Sequence, residues 1–362
     1  MIRAQAPGKL YIAGEYAVVE PGEPSVLIAV DRYVTVEIDE TRERGSIASA
    51  QYGRLPILWR REDDQVVLES DHRPFDYVLA TIRTVEQLVG ELCRRPRFYD
   101  IRIESELDDV SGRKFGLGSS AAVTVATVRA LDQFYTLELT DMQVFKLALL
   151  STVQVSPSSS GGDVAASTFG GWIAYHAPDR ERLLDARQNE TVAAMLRRPW
   201  PQLAVRRLPA PAQLRLLVGW TGQPASTERL VGDVQHRKLS DQSHYAAFLA
   251  DSRACVNALI AALEASDGDA VMRSIARARD LLRTLGRNAG LDIETETLTA
   301  MCDIAAESGA VAKSSGAGGG DCGIVLAPLH VDVHRMLREW EQRDIRHLAI
   351  GVHPALGEID DE

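Results

Sequence analysis

The feature that most restricts how this chain can fold is the run Arg113-Lys-Phe-Gly-Leu-Gly-Ser-Ser-Ala-Ala122. Two glycines one residue apart allow a tight turn and leave room for an incoming oxyanion. The alanine, valine and leucine that follow predict a helix over residues 121–135, with Ser119 and Ser120 as its N-caps. A turn feeding a helix N-terminus offers free N–H groups at the positive end of the helix dipole, which suits a phosphate. Arg113 and Lys114 add positive charge immediately upstream. Alone, the run admits other readings. Gly116-Leu-Gly118-Ser-Ser-Ala121 also satisfies the G-x-G-x-x-A dinucleotide pattern, with Glu138 a loose match to its acid, and glycine–serine turns before helices often bind nothing.

Composition narrows the field. The chain has 362 residues, 45% hydrophobic and 25% charged, which supplies core material for two ordinary domains. A net charge of -11 argues against a nucleic-acid partner, so cations for an anionic ligand must be concentrated locally. Cys93, Cys255, Cys302 and Cys322 form no C-x-x-C pair, which fits a reducing cytosol better than a disulfide framework or a zinc site. No apolar run approaches the ~20 residues of a membrane span. Motif-like sequence from Pro7 onward leaves no room for a signal peptide. The expectation is a soluble cytoplasmic protein without a membrane partner.

Read in order, residues 9–13 are a short apolar strand, 15–19 continue it into the Pro-Gly-Glu-Pro turn at 21–24, and 25–39 alternate as a half-buried strand. Short β signals at 57–59 and 66–68 precede a helix over 76–93 and a strand over 98–106. A helix over 141–155 leads to Ser156-Pro-Ser-Ser-Ser-Gly-Gly-Asp163, a small-residue loop opening into another helix, where Asp163 also suits a cap or first-turn position. Residues 170–175 return as a strand. The proline-rich stretch 178–213, with a short helix at 188–196, reads as the crossing between domains 1–205 and 206–357. Beyond it lie a strand over 214–220, helices from about 228, over 245–265, 269–287 and 294–308, then a helix over 331–342 and a strand over 345–352. The acidic tail 358–362 reads as disordered.

Two more segments carry chemistry. Pro7-Gly8-Lys9 sets a lysine just past a turn, and Lys313-Ser-Ser-Gly-Ala-Gly-Gly-Gly-Asp321-Cys-Gly-Ile324 leads into an apolar strand. So many glycines cost conformational entropy, which makes sense where backbone must approach something closely. A Walker A sequence and the protein-kinase motif set are both absent.

These three segments, with Gly14-Glu15-Tyr16 following the first, resemble in order and spacing the three motifs of the GHMP small-molecule kinases. The resemblance spans nearly the whole chain. It implies a two-domain α+β fold: an N-terminal domain with a left-handed βαβ unit carrying two motifs, a ferredoxin-like C-terminal domain carrying the third, and the site between them. Within the family the chain is most similar to the branch whose acceptor is 5-phosphomevalonate. Tyr16 stands where mevalonate kinases and galactokinases usually have His, and Asp321 where mevalonate kinases typically have Gly. The implied reaction moves the γ-phosphoryl of ATP to 5-phosphomevalonate with Mg2+, in isoprenoid precursor synthesis, by a monomer or homodimer.

The resemblance also implies roles. Lys114, Gly116, Leu117, Gly118, Ser119, Ser120 and Ala121 would hold ATP, with Ser120 contacting Mg2+. Lys9 and Asp163 would be catalytic. Tyr16, Ser160, Gly161, Ser226, Thr227, Ser315, Gly316, Ala317 and Gly318, together with Lys9 and Asp163, would surround the acceptor. An acceptor phosphate, with a second pKa of about 6, is already ionised near neutrality and hardly needs a base. Asp163 is therefore expected to orient Lys9 or the metal. Two departures stand out: residues 152–156 lack the metal-binding Glu of mevalonate kinases, and Ser158 stands where relatives often carry Lys. Arg113, Lys114, Lys313 or Arg197 would have to compensate. Cys322, inside a catalytic loop, is expected to make activity thiol-sensitive. The alternatives are another GHMP kinase, mevalonate kinase first, or a non-catalytic ligand sensor of the same fold. A Rossmann oxidoreductase leaves residues 313–324 without a role.

Overall fold

The computed structural model describes residues 1–49, 55–62, 65–69, 75–109, 112–222, 227–238, 242–357 and 359. The first domain is built on strands β1 (Ile2–Ala13), β2 (Pro24–Thr41), β3 (Gly45–Ser49), β4 (Ile57–Glu62), β5 (Gln65–Leu68), β6 (Phe98–Ser105), β7 (Trp172–His176) and β8 (Ala204–Leu208). Among the described residues they form one eight-stranded sheet, ordered β5-β4-β3-β6-β2-β7-β8, with β1 paired to β2 off that path. The long β2 is its spine. Its alternation of apolar and polar residues lets β1 run antiparallel along it while β6 and β7 pair with its two ends.

Helices α1 (Asp76–Glu91), α2 (Ser119–Tyr135), α3 (Asp141–Val155) and α4 (Gly162–Phe169) cover the sheet, and the short α5 (Arg180–Ala186) and α6 (Val192–Arg197) flank them. Helix α2 is central because Val125, Val128 and Leu131 fall on one helical face and are fully buried. The second domain opens with β9 (Leu214–Trp220), followed by α7 (Thr227–Lys238), α8 (Gln242–Glu264), α9 (Gly268–Ala289) and α10 (Glu296–Glu307). It closes with β10 (Val311–Ser314), β11 (Cys322–Pro328), α11 (Val333–Glu341) and β12 (Arg346–Leu348). Its antiparallel sheet has the order β10-β11-β9-β12. Setting aside the inserted α7–α9, that is the β-α-β-β-α-β ferredoxin-like arrangement. Both faces of this sheet are buried: Leu217, Val325 and Ala327 pack with Met301 and Trp340, while Val218, Trp220, Ile324 and Leu326 join the core shared with the first domain.

Several expectations need correction. Residues 15–19 do not extend the first strand; Gly14 at φ 94° and Tyr16 at φ 60° turn the chain into a single 3-10 turn at Ala17–Val19. Ser119 and Ser120 are not N-caps but the first two residues of α2, because Gly118 at φ 80° takes the cap position. The expected helix at 188–196 is the shorter α6, and α5 ahead of it was not expected. The strand β3, too short and small-residued to stand out, was missed by the sequence reading. Strand β8 belongs to the first sheet, so a division at 205/206 cuts through it; we propose the division in the turn at 209–213. Helix α8 is long and apolar enough to cross a membrane, yet Phe248, Val256, Leu259 and Leu263 are buried in the fold. The tail 358–362, apart from Ile359, lies outside the described residues.

Candidate active site

A cleft of about 420 Å³ lies where the two domains meet. Three glycine-rich segments line it from different directions, each delivered by the element beside it. Strand β1 brings Lys9 and Tyr11, the turn into α2 brings residues 116–121, and the turn between β10 and β11 brings Ser315, Gly316, Ala317 and Asp321.

Lys9 lies along the α2 turn. Its backbone N–H donates to Leu117 O at 2.8 Å, and its ammonium donates to Gly116 O at 3.4 Å and stands 5.5 Å from the Tyr11 ring centre. Gly118 is required here twice over: its φ of +80° is a left-handed conformation, and a Cβ would sit 2.9 Å from Lys9 Cε. Holding Gly118 in that conformation moves Ser119 and Ser120 inside the helix, where their side chains cap nothing and line the cleft. The first N–H groups of α2 thus retain their anion-binding character. Lys114 also lines the cleft.

The third loop is bound from below. Ser315 Oγ accepts from Tyr11 N–H and donates to Tyr11 O, both at 2.9 Å. Tyr16 OH donates to Ala317 O at 2.5 Å, and this bond accompanies the positive φ of Tyr16, a strained conformation for a bulky residue. Lys313 pairs with Glu15, both almost wholly buried, and donates to Ser314 O at 2.6 Å. Cys322 Sγ donates to Phe115 O at 2.9 Å, and burial pushes its thiol pKa up, so the expected thiol sensitivity has no exposed thiolate behind it.

On the opposite wall, Asp163 stands in the first turn of α4, whose N-cap is Gly161 at φ 79°. Asp163 lines the cleft and, among the described residues, accepts only from Val164 N–H at 3.0 Å. It makes no ion pair with Lys9, so the expectation that it orients Lys9 finds no contact to act through. Ser160 Oγ is 3.0 Å from Tyr11 OH, and Ser160 O accepts from Tyr175 OH at 2.7 Å. Burial first, and then the Asp163 charge, push the Tyr11 phenol pKa up, so it stays protonated as a donor.

Of the expected residues, Lys9, Tyr16, Lys114, Gly116, Leu117, Gly118, Ser119, Ser120, Ala121, Ser160, Asp163, Ser315, Gly316 and Ala317 line this one cleft. Gly161 and Gly318 support it from outside, packing against Tyr175 and Ile293. Ser226 lies outside the described residues, as does the Thr227 side chain, although Val231 of the same helix reaches the cleft. Among the expected replacement cations only Lys114 lines the cleft. Lys313 is committed to Glu15, Arg113 donates to Gly222 O at 3.1 Å, and Arg197 is exposed on α6. The sequence reading missed Tyr11, two residues past Lys9, as a cleft residue, and gave no site role to Glu15 and Asp321, which lie inside motifs it had singled out.

Among the described residues no three His, Cys, Asp or Glu side chains gather into a metal cage. The donors present suit Mg2+ nonetheless. That ion keeps several waters and takes one or two carboxylates plus substrate phosphates, for which the Ser120 hydroxyl and the Asp163 carboxylate are on hand.

Sequence comparison agrees with this geometry. The GHMP kinases N terminal domain matches residues 76–171 and the GHMP kinases C terminal domain matches residues 259–345. The chain is 43% identical to the phosphomevalonate kinase of Streptomyces sp. (strain CL190), over 97% of this chain and 96% of that protein. It is 29% identical to the mevalonate kinase of Thermococcus sibiricus, over 90% of this chain and 89% of that one. A Streptococcus pneumoniae phosphomevalonate kinase, solved with phosphomevalonate and AMPPNP, superposes with a TM-score of 0.85 at 28% identity, covering 97% of this chain and 100% of that one. With matched domains on both sides of the cleft and full-length relatives that share them, the chain belongs to the GHMP kinase family.

Proposed function

We propose that this GHMP kinase is a phosphomevalonate kinase: it transfers the γ-phosphoryl of ATP to the phosphate of (R)-5-phosphomevalonate, giving ADP and (R)-5-diphosphomevalonate in isoprenoid precursor synthesis. The observation that carries the reading is the convergence of Lys9, the 116–120 turn and the 315–317 loop on one cleft, in a chain closely related to such kinases.

An acceptor phosphate oxygen attacks the γ-phosphorus while the bond to the β–γ bridging oxygen breaks and ADP leaves. Because that acceptor is ionised near neutral pH, no residue needs to remove a proton. What the loose transition state requires is positioning and charge neutralisation. Lys9, held between Gly116 O and the Tyr11 ring, neutralises charge between donor and acceptor phosphates. The N–H groups at the start of α2, with Lys114, bind the β- and γ-phosphates. Ser120 and Asp163 would hold Mg2+, which would supply further charge neutralisation on the phosphates. The absence of a contact between Asp163 and Lys9 supports the metal role over an orienting one. Tyr11, Tyr16, Ser160, Ser315, Gly316 and Ala317 surround the acceptor. We place the enzyme in the cytoplasm, as a monomer or homodimer.

ADP release with Mg·ATP, offering mevalonate, 5-phosphomevalonate and galactose separately, tests the reading. Turnover is expected with 5-phosphomevalonate and a loss of about 10³-fold in Lys9→Ala. Turnover with mevalonate alone would move the enzyme one step earlier, and none with any acceptor, despite ATP binding, would make it a sensor.

A further inference from the structure

Strand β2 is irregular at the point where β1 presents Lys9. Pro7 pairs with Tyr33 but Lys9 pairs with Ala29, so Gly8 alone faces Val30, Asp31 and Arg32. The surplus on β2 forms a bulge, a feature that bends a strand and re-aims nearby side chains. The bulge is also where β2 lacks strand partners on its other edge, since β7 pairs only as far as Ile28 and β6 only from Val34. Backbone left in such a gap needs hydrogen-bond partners from elsewhere.

The C-terminal segment supplies them. Beyond β12 the chain leaves the second domain and lays residues 349–357 across the gap. Asp31 N–H donates to Gly351 O at 3.0 Å, Gly351 N–H donates to Asp31 Oδ1 at 2.7 Å, and Arg32 Nη2 donates to Ala349 O at 2.6 Å. Val352 bridges Val30, and His353 N–H donates to Ala29 O at 2.9 Å. Ala29 faces Lys9, whose own N–H donates to Leu117 O. One row of backbone thus runs from the C-terminal segment through β2 and β1 to the 116–120 turn. Packing along it is close: a Cβ on Gly8 would sit 2.8 Å from Leu117 O and 3.1 Å from Val30 Cγ2. The far end of the segment is anchored too, by Gly171 N–H to His353 O at 2.9 Å and Leu356 N–H to Phe169 O at 2.8 Å.

We propose that residues 349–353 are a positioning element for Lys9: they hold the β2 bulge, and the bulge sets where the Lys9 ammonium stands at the phosphate turn. The inference rests on the role given to Lys9 in phosphoryl transfer. None of residues 349–357 lines the cleft, so their effect reaches the reaction only through what they hold. That effect is large enough to measure, because misplacing a catalytic group by about 1 Å can cost roughly 100-fold in rate.

The test is a double-mutant cycle. A Cβ on exposed Gly351 would sit 2.8 Å from Asp31 Oδ2, so Gly351→Val pushes the Asp31 carboxylate off the Gly351 N–H. Asp31→Ala removes the same bond from the other side, while Asp31→Asn keeps an acceptor oxygen. Each is made in the wild type and in Lys9→Ala, and turnover is measured with ATP and 5-phosphomevalonate. Gly351→Val and Asp31→Ala are expected to lower kcat and kcat/KM alike, roughly tenfold, and Asp31→Asn to recover most of the loss. In Lys9→Ala neither should cost anything further, because no ammonium is left to misplace. Asp31, with its side chain 41% exposed, decides the matter if Gly351→Val does not fold. The same loss in both backgrounds would make the segment a general brace and overturn the proposal, as would unchanged rates or a change in KM alone. A Lys9→Ala enzyme as fast as the wild type would defeat the functional reading and this inference with it. A slow Lys9→Ala beside unimpaired Gly351→Val and Asp31→Ala would defeat this inference alone.

Discussion

The two glycine-rich loops that line the cleft have similar composition and opposite treatment. The 116–120 turn is left open: its serines cap nothing, its helix N-terminus keeps unsatisfied donors, and Lys9 meets it only at carbonyls, Leu117 O through its backbone N–H and Gly116 O through its ammonium. The 315–320 loop is tied down by Ser315 to Tyr11, Tyr16 to Ala317, Gly319 N–H to Ile293 O, and by the Lys313–Glu15 pair just behind it. Glycine serves a different end in each. In the first it exposes N–H groups to a ligand; in the second it lets backbone be pinned close to other backbone, as where a Cβ on Gly318 would overlap Ile293 O. Glycine-rich composition alone does not mark a phosphate site. What separates the two is whether neighbouring side chains have already taken the polar groups.

The largest expected effect comes from breaking the pinned side. Lys313→Met leaves Glu15 buried without a counter-ion and should cost about 3–5 kcal/mol in a denaturant melt, with much of that recovered in Lys313→Met/Glu15→Met. Failure of the double variant to recover stability would mean that the pair is not what fixes the loop. On the open side the balance reverses. Ser120→Ala should lower kcat roughly 100-fold, in the range seen when one transition-state donor is removed. Because Ser120 is not a cap, stability should stay within ~0.5 kcal/mol. A stability loss near 1 kcal/mol, the usual value of an N-cap, would return Ser120 to a structural role. The smallest effect is a null one. Iodoacetamide should alkylate exposed Cys93 and leave Cys255, Cys302 and Cys322 unmodified, with activity intact, since burial keeps the Cys322 thiol protonated. Cys322 adducts in the mass spectrum would show that the pinned loop opens.

The sequence made the contents of the site legible and left its connections hidden. Lys9, residues 116–121, Asp163 and 315–317 were readable because each lies in a local pattern, a turn before a helix or a glycine run before a strand, whose physics is short-range. Helix positions 76–91, 141–155 and 268–289 were close for the same reason. The serine caps were misread because the capping residue depends on the φ of Gly118, which the Lys9 side chain from another strand constrains. The pairing of Lys313 with Glu15 was hidden, because the two lie 298 residues apart in the chain.

By itself the sequence determined the two-domain α+β architecture, the three motifs and the family, because hydrophobic period and glycine placement act within a few residues. Tertiary structure decided which cations remain available to a ligand. Lys313, 298 residues from Glu15, is consumed by it, while Lys9 and Lys114 line the cleft. Charge pairing is set by distance in space, and burial multiplies its weight. Neither quantity is written in the local order of residues.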